Sequence, residues 1–228
     1  MCPENRLLCE EIEFFTLPLY PASVFSLLSY SAMAKTSHLS SQTRGNLPYF
    51  LALLATALMA FVLNAEGRVW WCKWGDRSIY INQAWGSSHT SQHLFDPYTF
   101  THVVHGILFF WLTGLIFRNL SGGWRFFIAI VVEAGWEIVE NSSYVIRQYR
   151  ENTASLDYFG DSVANSIGDV IACAAGFWIA VRIGWRRSVF LFILIEVGLL
   201  FWIRDSLLLN VVMLLYPLDW VKAWQSSI

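Results

Sequence analysis

Five apolar runs, three of them carrying acids, constrain this chain more than any other feature. They cover residues 47–63, 100–117, 124–139, 163–183 and 189–203. A helix needs about 20 predominantly apolar residues to cross the hydrocarbon core of a bilayer. Inside that core every backbone N–H and C=O must be bonded within the chain, so such runs fold as helices. A sixth run, 207–216, is too short to cross alone and is stopped by Pro217. It reads as a half-helix, an interfacial helix or a continuation of the fifth run. The expected fold is an all-α integral membrane bundle of about five transmembrane helices with a short carboxy-terminal helix. Charged residues make up 14% of the chain, against roughly a quarter in soluble domains. With a net charge of −2 and no basic run, the composition argues against a nucleic-acid partner, a disordered chain or a coiled coil. Membrane lipids are the expected neighbours; the pattern names no protein partner.

The transmembrane domain is expected as one unit over 47–228, after an amino-terminal segment, 1–46, without expected regular structure. Residues 1–32 hold Glu4, Glu10, Glu11 and Glu13 against Arg6. A signal peptide opens with positive charge, so this segment does not fit one. Met33, followed by Lys35, Arg44 and the first clean run, reads as the natural start of translation, with 1–32 as an extension. Basic residues near span ends are densest around 118–125 and 182–187. The positive-inside rule then puts the amino terminus on the cytoplasmic side. Cys2, Cys9, Cys72 and Cys173 show no metal-ligand spacing and no disulfide framework. Cys173 reads as a small buried hydrophobe, and a zinc–thiolate site is not expected. Residues 66–98 and 141–161 read as two polar loops, and His89 and His93 as solvated residues of the first.

Adjacent spans run antiparallel, so the start of the second, end of the third, start of the fourth and end of the fifth share one side. The polar residues stand at those ends. His102 and His105 open the second span, while Glu137, Glu140 and Asn141 close the third. Asp161, Asn165 and Asp169 open the fourth, and Arg204 and Asp205 close the fifth. Glu133, Glu137, Glu140 and Tyr144 follow steps of four, three and four, which is one face of a helix. Gly168, Ala172 and Gly176 form a small-residue stripe that lets the fourth helix pack tightly at the bundle centre. On an insertion scale a charge near mid-span costs about 2.5–3.5 kcal/mol, while Leu, Ile, Phe and Val return about 0.3–0.6 each. The third span has eight of those apolar residues between Phe126 and Val139, together worth about 4 kcal/mol. Two glutamates at mid-span cancel that, so they must lie near an interface, be protonated or face polar partners. An ionisable residue inside a span is a functional-site hypothesis by default.

The segments Ser91-Gln92-His93, Asp96-Pro97-Tyr98, HxxHG at 102–106, GWR at 123–125, EAGWEIVEN at 133–141 and SLDYFGDSVANSIGD at 155–169 carry a resemblance. So do IRD at 203–205, LNVVMLLYP at 209–217 and VKAWQ at 221–225. Together they resemble an alphaproteobacterial family of multi-pass inner-membrane proteins of unknown function. That pattern has a second cysteine where this chain has Trp74. More distantly, Asp96, His102 or His105, Glu137, Arg150, Asp161, Asn165 and Gly168 are similar in layout to VanZ-like membrane proteins.

Four functional readings follow. The first is a binding or catalytic pocket at the periplasmic face that recognises or modifies an envelope lipid or lipid-linked molecule. In it His102, His105, Glu137, Glu140 and Asp161 are the acid–base candidates, since imidazole titrates near neutral pH. Asn141, Arg150, Asn165, Asp169 and Arg204 are the binding candidates, with arginine suited to an anionic head group. The second is a divalent metal held by His102, His105, Glu137 and Asp161, because imidazole and carboxylate are ligands of zinc, manganese and iron. The third is a scaffold or assembly factor whose polar network only orders the helices. The fourth is a proton-coupled transporter, opposed by the dry opposite half of the spans and the lack of an internal repeat. Whether the protein is an enzyme stays open at this point.

Overall fold

The computed structural model describes residues 24–84, 87–153 and 155–227, with side chains from Gly45 onward. It divides into two compact units, Met1–Arg44 and Gly45–Ile228. Residues 1–23, most of the segment expected to precede a start at Met33, lie outside the described residues. α1 (Val24–Ala65) begins upstream of the boundary expected at 46/47. Residues 24–44 contain neither glycine nor proline to break a helix.

The second unit is helical throughout its described regular elements. After the Gly45–Ala65 part of α1 come α2 (Thr99–Ile116), α3 (Gly122–Glu140), α4 (Ser143–Asn152) and α5 (Val163–Ile183). α6 (Trp185–Trp202), α7 (Leu207–Leu215) and α8 (Asp219–Gln225) complete it. Gly45–Ala65, α2 and α5 are long and apolar enough to cross a membrane. The 21 residues of Gly45–Ala65 rise about 32 Å, close to the thickness of a hydrocarbon core. Of the five expected spans, α3 and α6 match in length, at 19 and 18 residues. They are less apolar because α3 carries Arg125, Glu133, Glu137 and Glu140, and α6 carries Arg186, Arg187 and Glu196. The outward faces are apolar: Leu53, Phe61, Ile116, Phe190, Phe201 and Leu215 are each at least 67% exposed. Apolar surface on that scale is suited to lipid rather than water.

α5 lies at the centre, packed on α2, α3 and α6, and its contact with α2 is the most extensive in the bundle. The small-residue stripe makes this possible. A Cβ on Gly176 would run into the Val103 carbonyl, and one on Gly106 into that of Cys173. Met59 and Leu63 of α1 complete an apolar core with Phe126 and Ile130 of α3 and Phe177 of α5.

Two breaks shape the site end of the bundle. Residues 143–152, expected to be loop, form α4, capped by the Ser142 hydroxyl, which accepts from the Val145 N–H at 3.4 Å. α6 does not continue into α7, because Ile203–Ser206 turns the chain and Arg204 takes a left-handed φ of 51°. The Glu196 carboxylate, buried in α6, accepts the N–H groups of Leu207 at 3.1 Å and Leu208 at 3.0 Å. A carboxylate there satisfies the free donors and the positive end of α7. The 207–215 run is thus a separate helix.

Candidate histidine–carboxylate site

The opening of α2, the end of α3 and the opening of α5 bring their polar residues to one place. Glu133 is the hub. It is fully buried, and its Oε1 lies 2.6 Å from His102 Nδ1. Its two oxygens lie 3.2 and 3.0 Å from His105 Nδ1. A carboxylate only accepts, so both imidazoles donate through Nδ1 and keep Nε2 as a base or ligand atom. The i, i+3 spacing of the two histidines puts both rings on the α2 face that meets α3. His102 Nε2 lies 3.8 Å from Asp169 Oδ2 on α5, and His102 Nδ1 lies 3.5 Å from Glu137 Oε1. The α2–α5 approach through Gly106 and Gly176 sets the His102–Asp169 distance.

A second pair supports this cluster. Asn141, at the end of α3, donates its amide to Asp161 Oδ2 at 2.8 Å and to the Glu137 carbonyl at 3.0 Å. Its oxygen accepts the Asp161 N–H at 2.7 Å. Burial pushes the Asp161 carboxyl up, against the hydrogen bond from Asn141 that holds it down. Burial also pushes the Tyr149 and Tyr158 phenols well up, so both remain protonated donors among acids. Asp96 caps α2 instead, accepting from Tyr98 and Thr99 N–H at 2.8 and 3.3 Å and from Ser91 N–H at 3.2 Å.

These groups face a cavity of about 470 Å³. His102, His105, Glu140, Asp161, Asn165 and Asp169 form its polar part. Leu108, Phe109, Val132 and Trp136 also line it, together with Leu207, Leu208, Val211 and Leu214 of α7. The cavity is therefore amphipathic, in the size range of small-molecule pockets. Among the described residues no lysine or arginine lines it.

The sequence-predicted residues divide accordingly. His102, His105, Glu140, Asp161, Asn165 and Asp169 meet at the cavity. Glu137 lies fully buried behind it, both carboxylate oxygens without a hydrogen-bond partner, and Asn141 positions Asp161. Arg150 and Arg204, expected to bind an anion, stand elsewhere. Arg150 donates to the Leu156 carbonyl and stacks over Phe159, while Arg204 donates to the Trp224 carbonyl and the Ser227 hydroxyl. The expected metal set is also corrected. His102 and His105 group with Glu133, and Glu137 groups with His102 and Glu140, while Asp161 belongs to neither set because Asn141 holds it. Sequence reasoning placed Glu133 on the right helix face but left it out of the site. It missed Ser91, Tyr98, Tyr149 and Tyr158 in the cavity wall, since no spacing rule joins loop residues to a helix end.

The chain is similar along most of its length to known proteins. The UPF0314 protein of Brucella anthropi is 40% identical over 198 residues, covering 87% of this chain and 100% of that protein. Its counterpart in Paracoccus denitrificans is 44% identical over 186 residues, covering 82% and 96%. That of Rhizobium meliloti is 43% identical over 196 residues, covering 86% and 99%. No solved structure matches. Residues 63–227, which hold the whole site, match the family described as protein of unknown function (DUF2585), and the chain belongs to that alphaproteobacterial family.

Proposed function

We propose that the protein is a multi-pass protein of the bacterial inner membrane, amino terminus in the cytoplasm, that binds or modifies an envelope lipid or lipid-linked molecule at the periplasmic end of its bundle. The observation that carries this reading is the amphipathic cavity, lined by acids, imidazoles and amides together with leucine, valine and aromatic side chains. A ligand that fits has an apolar chain along α7 and a polar head at His102, Asp161, Asn165 and Asp169. With acids and no cation in the wall, the head is rich in hydroxyl or ammonium groups rather than a bare phosphate.

The geometry also suits chemistry. Glu133 orients His102 and stabilises its protonated form, leaving Nε2 to accept a proton from a hydroxyl or water of the bound head group. The Tyr149 phenol stands in the same wall to return a proton to a leaving oxygen. Extraction and mass analysis of lipids that co-purify with the full chain in mild detergent tests the reading. Enrichment of one lipid class, lost in Asp169→Asn and in Val211→Trp, is expected. A lipid complement equal to the bulk membrane in all three proteins would overturn it.

A second reading is favoured by the Glu137 carboxylate, whose two buried oxygens have no hydrogen-bond donor. A divalent cation beside His102, Glu137 and Glu140 would satisfy them and polarise an oxygen of the head group. Metal lost on Glu137→Gln substitution, with lipid binding retained, separates this reading from the first.

A further inference from the structure

The loop between α1 and α2 gathers a second set of ligand-type side chains. Cys72 Sγ lies 3.3 Å from His89 Nδ1, and His89 Nδ1 lies 3.3 Å from His93 Nε2. Asp76 Oδ2 lies 4.0 Å from the first of these nitrogens and 3.9 Å from the second. Cys72 is a free cysteine and is buried, His93 is fully buried, and the His89 side chain is 30% exposed. The expectation of solvated histidines is thus corrected. The chain reverses between 76 and 89, so residues far apart in sequence converge.

Hydrogen bonding alone accounts poorly for this convergence. His93 Nδ1 donates to the Ser78 carbonyl at 2.6 Å, so a neutral His93 keeps its Nε2 lone pair directed at His89. One proton on His89 Nδ1 would have to serve both the His93 nitrogen and the Cys72 sulfur, and a Cys72 S–H donated to Nδ1 instead would leave two imidazole lone pairs facing each other. A cation serves all three. In a tetrahedral zinc site, with Zn–N about 2.0–2.1 Å and Zn–S about 2.3 Å, ligand nitrogens stand about 3.3 Å apart and sulfur about 3.6 Å from nitrogen. The nitrogen–nitrogen separation of 3.3 Å matches, the sulfur–nitrogen one of 3.3 Å is slightly short, and Asp76 Oδ2, at 3.9–4.0 Å, stands further out. The outer contacts also match the habit of metal sites: Ser78 holds His93 through its second nitrogen. The Ser78 N–H and hydroxyl, each at 2.8 Å, engage Asp76 Oδ1 and leave Oδ2 toward the centre.

We infer that Cys72, His89 and His93 hold a structural zinc ion, with Asp76 beside its fourth position, and that it fixes the 66–98 loop as a wall of the cavity. Residues just past His89 form that wall. The Ser91 carbonyl accepts the Ser162 N–H at 2.9 Å, and the His93 carbonyl accepts the Asn165 amide at 2.8 Å. Binding places the metal on the Cys72 thiolate and releases the thiol proton to solvent. This goes beyond the lipid reading and does not depend on it.

The test uses the full chain, purified in detergent without chelator from zinc-supplemented cells and measured by elemental mass spectrometry. One zinc per chain is expected in the parent and in His102→Ala, with near-complete loss in Cys72→Ser and in the His89→Ala/His93→Ala double variant. Absence of zinc from the parent would overturn the site. Retention by Cys72→Ser with loss in His102→Ala would also overturn it, assigning the metal to the cavity. Cobalt(II) added to the chelator-stripped parent keeps the proposal falsifiable if Cys72→Ser fails to fold. Thiolate-to-cobalt charge transfer, kept in Cys173→Ser, is expected; its absence from the parent refutes the site.

Discussion

Replacing single glycines by alanine tests whether α2 and α5 approach as closely as the site requires. At Gly106 the new methyl would meet the Cys173 carbonyl oxygen, the Phe177 nitrogen at 2.6 Å and the Cys173 carbonyl carbon at 2.9 Å. At Gly176 it would meet the Val103 carbonyl oxygen, its carbon at 2.8 Å and the Val103 Cα at 3.0 Å. All of these are backbone atoms and cannot rotate away, so the helices must separate. Overpacking of this kind costs about 1–3 kcal/mol, offset by about 1 kcal/mol of helix propensity gained by replacing glycine. Gly135 in α3 and Gly198 in α6 are internal controls, since a methyl there meets nothing within 4 Å. Those two substitutions should stabilise by up to about 1 kcal/mol. For a domain of this size 1 kcal/mol moves Tm by about 2–4 °C. Thermal unfolding in detergent should therefore show Gly106→Ala and Gly176→Ala melting below the parent, and Gly135→Ala and Gly198→Ala at or above it. Four shifts of the same sign would refute the packing argument, and with it the placement of His102 3.8 Å from Asp169.

Other substitutions probe the polar contacts. Glu133→Gln leaves one acceptor for two imidazole N–H groups and should cost about 1–3 kcal/mol; Glu133→Ala should cost about 3–5 kcal/mol. Unfolding midpoints at or above the parent's would contradict the hub role. Glu196→Gln keeps one acceptor for the two α7 N–H groups and loses the charge, a loss of about 1 kcal/mol, read as faster proteolysis near 204–216. Asp205 sets a pH dependence: burial raises its carboxyl to about 7, against the hydrogen bonds from the Ser206 N–H and Tyr98 hydroxyl. A group raised in the folded state contributes stability in full below its unfolded value near 4, and that contribution is lost as pH rises through 7. The parent should thus lose on the order of 4 kcal/mol relative to Asp205→Asn between pH 4 and 8, and parallel pH profiles for the two would contradict this.

Periodicity made the centre of the bundle readable before the structure. Gly176 meets α2 and Gly168 the Leu94 carbonyl just before it, and steps of three and four put His102, His105 and the glutamates on facing sides. What stayed hidden depends on chain reversals that no period encodes. Cys72 and His93 are 21 positions apart and meet only because the loop folds back. Residues 143–152 looked like loop because their polar composition masks an amphipathic helix that lies across the site end. Arg150 and Arg204 were expected at the site because charge alone suggested an anion partner. Backbone carbonyls at Leu156 and Trp224 satisfy them instead. Glu196 went unassigned because its partners, the N–H groups of α7, exist only once α6 ends.

The claim that the cavity holds an amphipathic molecule is tested most directly by a photo-crosslinking side chain placed at Val211, inside the cavity, and at Phe201, 87% exposed on the outer face. Irradiation of living cells and mass analysis of the adducts reads what each position touches. The account predicts one enriched lipid-linked species at Val211, lost on Asp169→Asn substitution, against bulk phospholipid at Phe201. The same bulk lipid mixture at both positions, unaffected by Asp169→Asn, would contradict it.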